Sequence, residues 1–158
     1  MNIKIETLPK TRIAYVRQTG PYGPGNIQAM NKLKQWAGER QLLTESAILF
    51  GIPQDHPEMT PPEQCRYDAC IVIPDDYGVD SSIPESEFSG GEYLVCKIRH
   101  TAEDVQKAWA EMIPAVQSRG YRIANKPIIE RYTGEMILSE MCELCVPVEP
   151  VERSDYHS

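Results

Sequence analysis

One pattern recurs in this chain and limits its fold more than any other: strand, helix, strand, strand. It runs over residues 2–73 and again over residues 87–148. In the first pass, residues 2–7 and 12–19 alternate apolar and polar side chains and are broken at Leu8-Pro9-Lys10. Gly20-Pro21-Tyr22-Gly23-Pro24-Gly25 has strong turn chemistry. Gly25 or Asn26 then caps a helix to about Gln41, with Ile27, Met30, Leu33 and Ala37 at amphipathic spacing and Trp36 on the flank. Residues 47–52 and 65–73 follow as strands around a proline-rich loop at 53–64. In the second pass, Gly90-Gly91 leads into a strand over 92–99, and Thr101 caps a helix. Val105, Ala108, Trp109, Met112 and Val116 share its inner face, and Pro114 is expected to bend or end it. Strands at 126–133 and 140–148 close the unit, with a turn near Gly134-Glu135. Residues 75–85 read as loop, and Asp75-Asp76 and Glu85-Ser86-Glu87 as solvated acids. The pattern predicts an α+β protein of duplicated β-α-β-β halves, one domain over residues 1–150, and a polar tail over 151–158.

Charge and cysteine usage narrow the function classes. The net charge of −7 argues against direct nucleic-acid binding, which needs a basic face for phosphates, and suits a small cation or a basic protein surface. No apolar run approaches the length of a membrane span, no signal peptide is read at the N-terminus, and five cysteines are an odd number. The expectation is a cytoplasmic protein with reduced thiols, and a monomer.

Within the second unit, Lys126-Pro127-Ile128-Ile129-Glu130-Arg131-Tyr132-Thr133-Gly134 holds the main site candidate. Strand alternation puts Ile128, Glu130 and Tyr132 on one face and Ile129, Arg131 and Thr133 on the other. A carboxylate between an apolar and an aromatic neighbour is costly unless compensated. The compensation is either an internal arginine, such as Arg66 or Arg131, or a cationic ligand from outside. Tyr15, Tyr22, Trp36, Tyr67, Tyr93 and Trp109 are the available aromatic walls. Cys142-Glu143-Leu144-Cys145 has metal-like spacing, but on a strand its thiols point to opposite faces about 10 Å apart, so no zinc or redox site is read there. His56, His100 and His157 do not cluster with carboxylates or cysteines at ligand spacing and are given no role. No metal or cofactor is expected.

Several stretches together resemble the GyrI-like small-molecule-binding family, which includes SbmC-like DNA gyrase inhibitors and the effector-binding domains of AraC-type and multidrug-sensing MerR-type regulators. They are Val16-Arg17-Gln18-Thr19-Gly20-Pro21-Tyr22, Cys65-Arg66-Tyr67-Asp68 through Pro74, Gly90-Gly91-Glu92-Tyr93-Leu94-Val95, Gly120-Tyr121 through Tyr132, and Cys145-Val146-Pro147-Val148. The resemblance implies two halves about a pseudo-twofold axis, antiparallel sheets, and a groove between the halves that binds lipophilic cations. It matches the family's groove glutamate to Glu130. Tyr132, Tyr67, Trp109, Trp36, Tyr22 and Tyr93 are the expected ligand-binding aromatics. Many members carry Asp-Pro after the glutamate–aromatic pair, where this chain has Thr133-Gly134-Glu135-Met136, which leaves the adjacent turn open. The chain is expected to act like the stand-alone, SbmC-like members: a non-enzymatic binding protein with a role in toxin protection or stress response, and with DNA gyrase as a candidate partner. The alternative is a hydrolase of cyclopropane-bearing DNA-alkylating compounds with Glu130 as general base.

Overall fold

The structure is a computed structural model that describes residues 2–151. Among these residues, nine strands and three helices follow in the order β1 (Ile3–Leu8), β2 (Thr11–Thr19), α1 (Pro24–Glu39), β3 (Ile48–Pro53), β4 (Arg66–Ile73), β5 (Glu85–Phe88), β6 (Gly91–Arg99), α2 (Ala102–Ser118), β7 (Tyr121–Ile123), β8 (Ile129–Thr133), α3 (Gly134–Leu138) and β9 (Met141–Pro150). One turn of 3₁₀ helix lies at Pro62–Gln64. The expected tail is described only as far as Val151; the rest of it lies outside the described residues.

All pairings are antiparallel, in the order β1-β6-β9-β8-β3-β4-β2-β5, with β7 beside β9. The order reads the same from either end once β1 is exchanged with β5, β2 with β6, β3 with β8, and β4 with β9. The two halves are therefore related by a pseudo-twofold axis between β3 and β8. The strand that opens each half does not stay with it: β1 pairs with β6 and β5 pairs with β2. Two short connections, Pro9-Lys10 and Ser89-Gly90, join opposite ends of this order. The sheet must curl until its ends meet, and the connections pack on each other there. Gly90 has φ 73°, and a Cβ on it would lie 2.5 Å from the Leu8 carbonyl oxygen and 2.8 Å from Pro9, so this crossing needs glycine.

The curl gives the sheet two apolar faces. One carries both long helices: Leu33, Trp36 and Ala37 of α1 and Ala108, Met112 and Val116 of α2 pack with Leu49, Ile71, Leu94 and Leu144. The other is filled by strand residues alone, among them Ile13, Phe50, Cys70, Phe88, Tyr93, Ile129 and Cys145. Phe50 and Phe88 have ring centroids 4.6 Å apart, and Phe88 and Tyr93 6.2 Å, which ties β5 to β3 and β6 inside the curl. Burial of this kind contributes roughly 25 cal/mol per Å² of apolar surface.

Some local expectations change. Residues 85–88 form an edge strand: its outward charges pair with β2 and the residue before it, Arg12 to Glu85 at 2.6 Å and Lys10 to Glu87 at 3.4 Å, and these charges hide the strand pattern. Pro114 does not end α2, which runs on to Ser118. It lies on the exposed side with Ala110, whose carbonyl loses its helical partner and is open to water. Thr101 caps α2 as its sequence suggests, accepting from the Asp104 backbone at 3.1 Å. Residues 133–138 are a capped helical turn, with the Met136 N–H donating to Thr133 Oγ1 at 3.1 Å.

Two clusters of paired charge lie inside the curl. Asp68 and Glu143 are the buried charged residues among those described. Arg17 grips Asp68 through two bonds of 2.7 and 2.8 Å, and Gln54 donates to the same carboxylate at 3.0 Å. Arg131 donates to Glu143 at 3.0 and 3.1 Å and to Glu6 at 2.6 and 3.1 Å. The Arg131 bond is the main reason the Glu6 carboxyl sits below the usual carboxylate range. Arg131 thus ties β8 to both β9 and β1 across the curl. Replacing Arg131 with Met leaves the deeply buried Glu143 without its counter-charge, while Glu6 keeps only Lys4 at 3.4 Å. We expect a loss of about 3–5 kcal/mol in urea unfolding, with partial recovery on adding Glu143→Gln. A loss below about 1 kcal/mol would show that the triad contributes little.

Candidate functional site

Glu130 and Tyr132 project from β8 toward the helical face, while Ile129 and Arg131 of the same strand point into the curl. The alternation read from sequence therefore separates the two charges: Arg131 is spent on Glu6 and Glu143, and Arg66 is held by Asp55 at 2.9 Å. Neither arginine compensates Glu130. Its partners are the Tyr132 hydroxyl, which donates a short hydrogen bond to Oε2, and the His100 ring, whose Nε2 lies 3.5 Å from the same oxygen. His100 Nε2 is also 3.4 Å from the Tyr132 hydroxyl, and the two rings meet edge to face at 5.4 Å. No hydrogen bond among the described residues reaches Oε1 of Glu130.

These groups line a cavity of about 530 Å³ between α1 and the end of β8. Its walls come from Ile27, Met30 and Lys34 of α1, Tyr67 of β4, and Ile137 beyond β8, with His100, Glu130 and Tyr132 on one side. That volume lies within the range of small-molecule sites, roughly 300–1,000 Å³. The Glu130 side chain keeps 35% of its area open, so a ligand can reach the carboxylate without the core opening.

Backbone pairing explains the crowding of polar groups at this point. Glu130 faces Gly51 across the β3–β8 ladder. A Cβ on Gly51 would collide with the Tyr67 hydroxyl, so the glycine leaves room for that phenol beside Glu130. The repeat adds a further relation. Matching β2 to β6, nine residues each, places Arg17 on Lys97, and their ladder partners Asp68 and Glu143 become equivalent. The next ladders carry Ile52 onto Arg131, Gly51 onto Glu130, and Pro53 onto Tyr132. Glu130 thus pairs with its own repeat equivalent, on the pseudo-twofold axis. Gly51 and Pro53 bring no side-chain charge or hydroxyl, so the Glu130–Tyr132–His100 cluster comes from the second half, with Tyr67 of the first half beside it.

The electrostatics follow from this geometry. Burial pushes the Glu130 carboxyl up, but the hydrogen bonds from His100 and Tyr132 outweigh it, and the group stays ionised below the usual carboxylate range. The bond to Glu130 raises His100 against burial and against Lys34. Burial, with Glu130 next in weight, pushes the phenols of Tyr132 and Tyr67 well above the usual range, so both remain neutral donors. Burial lowers Lys34.

Of the aromatics singled out in the sequence, Tyr132 and Tyr67 line the cavity with Glu130. The structure places the other five elsewhere, Tyr15 among the strand residues inside the curl. Trp36 packs in the core with its indole N–H on Ser82 at 3.0 Å and the Arg40 guanidinium over its ring. Tyr22 fixes the 53–66 loop through the Asp55 and Arg66 carbonyls, both at 2.9 Å. Tyr93 lies inside the curl, beside a second cavity of about 240 Å³. Trp109 packs against the helical core and is not among the cavity walls. His100 was missed because nothing near it in sequence pairs with it; β6 brings it to β8. Cys142 and Cys145 lie on opposite faces, in separate cores, and no group of metal-ligating side chains forms among the described residues. No helix among them is long and apolar enough to cross a membrane.

Known proteins share this architecture. The SPbeta prophage-derived protein YosT of Bacillus subtilis (strain 168), named as a candidate transcriptional regulator, is 40% identical over 150 residues, covering 94% of this chain and all of the relative. A DNA gyrase inhibitor of Citrobacter rodentium (strain ICC168) is 27% identical over 161 residues, covering 97% of this chain and all of the relative. Among solved structures, the EcmrR C-terminal domain superposes with a TM-score of 0.67 at 16% identity, covering 95% of this chain and 98% of that one. SAV2435 bound to tetraphenylphosphonium superposes with a TM-score of 0.56 at 15% identity over the full length of both. Residues 1–149 match the GyrI-like small molecule binding domain, and the chain belongs to that family.

Proposed function

We propose that this domain binds amphipathic organic cations in the cavity beside β8, with Glu130 as the charge-recognition group. The observation that carries the reading is an ionised, half-buried carboxylate that no arginine or lysine pairs, with one oxygen free of hydrogen bonds among the described residues, in a cavity where Met30, Ile137, Tyr67 and Tyr132 stand beside the polar Asn31 and Glu140. At an effective dielectric near 20, a cation about 4 Å away gains roughly 4 kcal/mol from that charge before desolvation. Each well-placed aromatic face adds about 0.5–2 kcal/mol. Such a site selects charge and flat apolar bulk without demanding one shape. Tetraphenylphosphonium, the ligand of SAV2435, is a suitable probe. Several relatives are named DNA gyrase inhibitors, which extends the reading to DNA gyrase as a partner, and the net charge of −7 suits a basic partner surface.

A second reading, hydrolysis of cyclopropane-bearing alkylators, draws support from His100 and Tyr132, two polar groups able to hold a water beside Glu130. Against it, a general base works best with a pKa near the operating pH, and Glu130 is shifted the other way. Binding is therefore the stronger reading.

In thermal-shift and calorimetric titrations, Glu130→Gln is expected to weaken tetraphenylphosphonium by about 10- to 100-fold, or ~1.4–3 kcal/mol. Neutral triphenylphosphine oxide should change little; equal loss for both would count against charge recognition. Incubation with a cyclopropane-bearing alkylator, followed by mass spectrometry, is expected to show no water adduct. An adduct formed by wild type and lost in Glu130→Gln would establish the hydrolytic reading instead.

A further inference from the structure

The cavity contains a group that becomes a cation on gaining a proton, the His100 imidazole. His100 holds its ring against Glu130 through a fixed frame. Its backbone N–H donates to the Glu140 carbonyl at 2.8 Å, it directly precedes Thr101, the cap of α2, and its ring packs edge-on against Tyr132. Its Nε2 is within 3.5 Å of the carboxylate oxygen and 3.4 Å of the tyrosine hydroxyl. Nearly half of the imidazole side chain, 47%, remains open, so the proton it carries exchanges directly with solvent. A protonated imidazole in this place does for the empty site what an organic cation would do for the filled one.

We propose that His100 is an internal counter-ion that competes with the ligand for Glu130, so that capture of a permanently charged cation expels one proton from the site. The inference rests on Glu130 being the seat of the cation. It adds a residue that neither the sequence motif nor the charge argument selects. The groups facing His100 support a one-proton exchange. Glu130 on β8 favours the imidazolium. Lys34 on α1 and the N-terminus of α2 oppose it. Tyr132 on β8, Tyr67 on β4 and Cys142 on β9 remain neutral, the thiol pushed up to about 12 by burial and by Glu130. Glu140, in the turn before β9, borders the cavity, and Arg99 and Asp104 flank His100 along its own chain.

The sign follows. The ordinary value for His100 is 6.5, raised here by Glu130; a bound cation removes that support and adds repulsion, so the ligand favours neutral His100. Below the raised value, binding must displace a proton, and affinity falls by up to tenfold per pH unit. Glu130 itself begins from 4.5 and is lowered, so its protonation acts in a separate, more acidic window. Tetraphenylphosphonium has no titratable proton, and any such dependence belongs to the protein.

The test is calorimetry of tetraphenylphosphonium binding between pH 5.5 and 8, in buffers of low and high ionisation enthalpy. Wild type is expected to bind about tenfold more weakly for each unit below the His100 value and to release close to one proton per ligand there. His100→Gln is expected to lose both the slope between pH 5.5 and 7 and the proton release, whatever its affinity at pH 8. His100→Asn provides the same comparison if the glutamine variant does not fold. Independently of any variant, NMR titration of the His100 ring in wild type should move to lower pH when ligand is present. An unchanged slope in both variants, or an unshifted His100 titration, overturns the inference. Failure of the underlying reading looks different: Glu130→Gln would then bind the probe as tightly as wild type at every pH.

Discussion

The β3–β8 ladder is the interaction on which the rest of this domain depends. It is the seam between two repeats, and its register sets Gly51 opposite Glu130. Everything distinctive about the cavity follows from that pairing. The glycine makes room for the Tyr67 phenol, the glutamate turns to the helical face with Tyr132, and Arg131 is sent to the other face, where it is consumed by Glu6 and Glu143. A shift of one residue in this ladder would reverse the two sides, placing an arginine in the cavity and a carboxylate inside the curl.

Duplication supplies the scaffold, and departures from it supply the chemistry. The buried acids Asp68 and Glu143 are repeat equivalents, and each is held by an arginine, although from different strands. That is the conserved burden of the architecture: a charge inside a curled sheet is tolerable only with a counter-charge in bonding contact. At the axis the halves diverge. The first contributes absence, Gly51 and Pro53; the second contributes Glu130 and Tyr132. A symmetric pair of glutamates facing each other there would repel, and one would be driven to neutrality. Breaking the symmetry keeps a single carboxylate ionised.

Much of this was legible in the sequence. The repeat gave the elements of both halves, Thr101 announced α2, and strand alternation separated Glu130 from Arg131 correctly. The resemblance directed attention to Glu130, and Tyr67 and Tyr132 do stand beside it. What could not be read is what depends on contacts far apart in the chain. β5 carries charged residues because it is an edge, so its pattern looked like loop. Trp36, Trp109, Tyr22 and Tyr93 are aromatic for reasons of packing or loop anchoring, which composition cannot distinguish from ligand contact. His100 lies thirty positions from Glu130, and no local signal marks it; only the pairing of β6 with β9, and of β9 with β8, brings the two together.

The exchange of β1 and β5 between the halves has a consequence for how the molecule forms. Each opening strand completes its partner's side of the sheet, so neither repeat can finish its own hydrogen-bond ladder alone. β1 must wait for β6, whose residues are some ninety positions further along the chain. Closure of a loop that long is entropically slow, and sheets built from such distant pairs fold more slowly than helical bundles of equal size. Neither half completes its part of the sheet without a strand from the other, and the two ends are joined where Gly90 packs on Leu8.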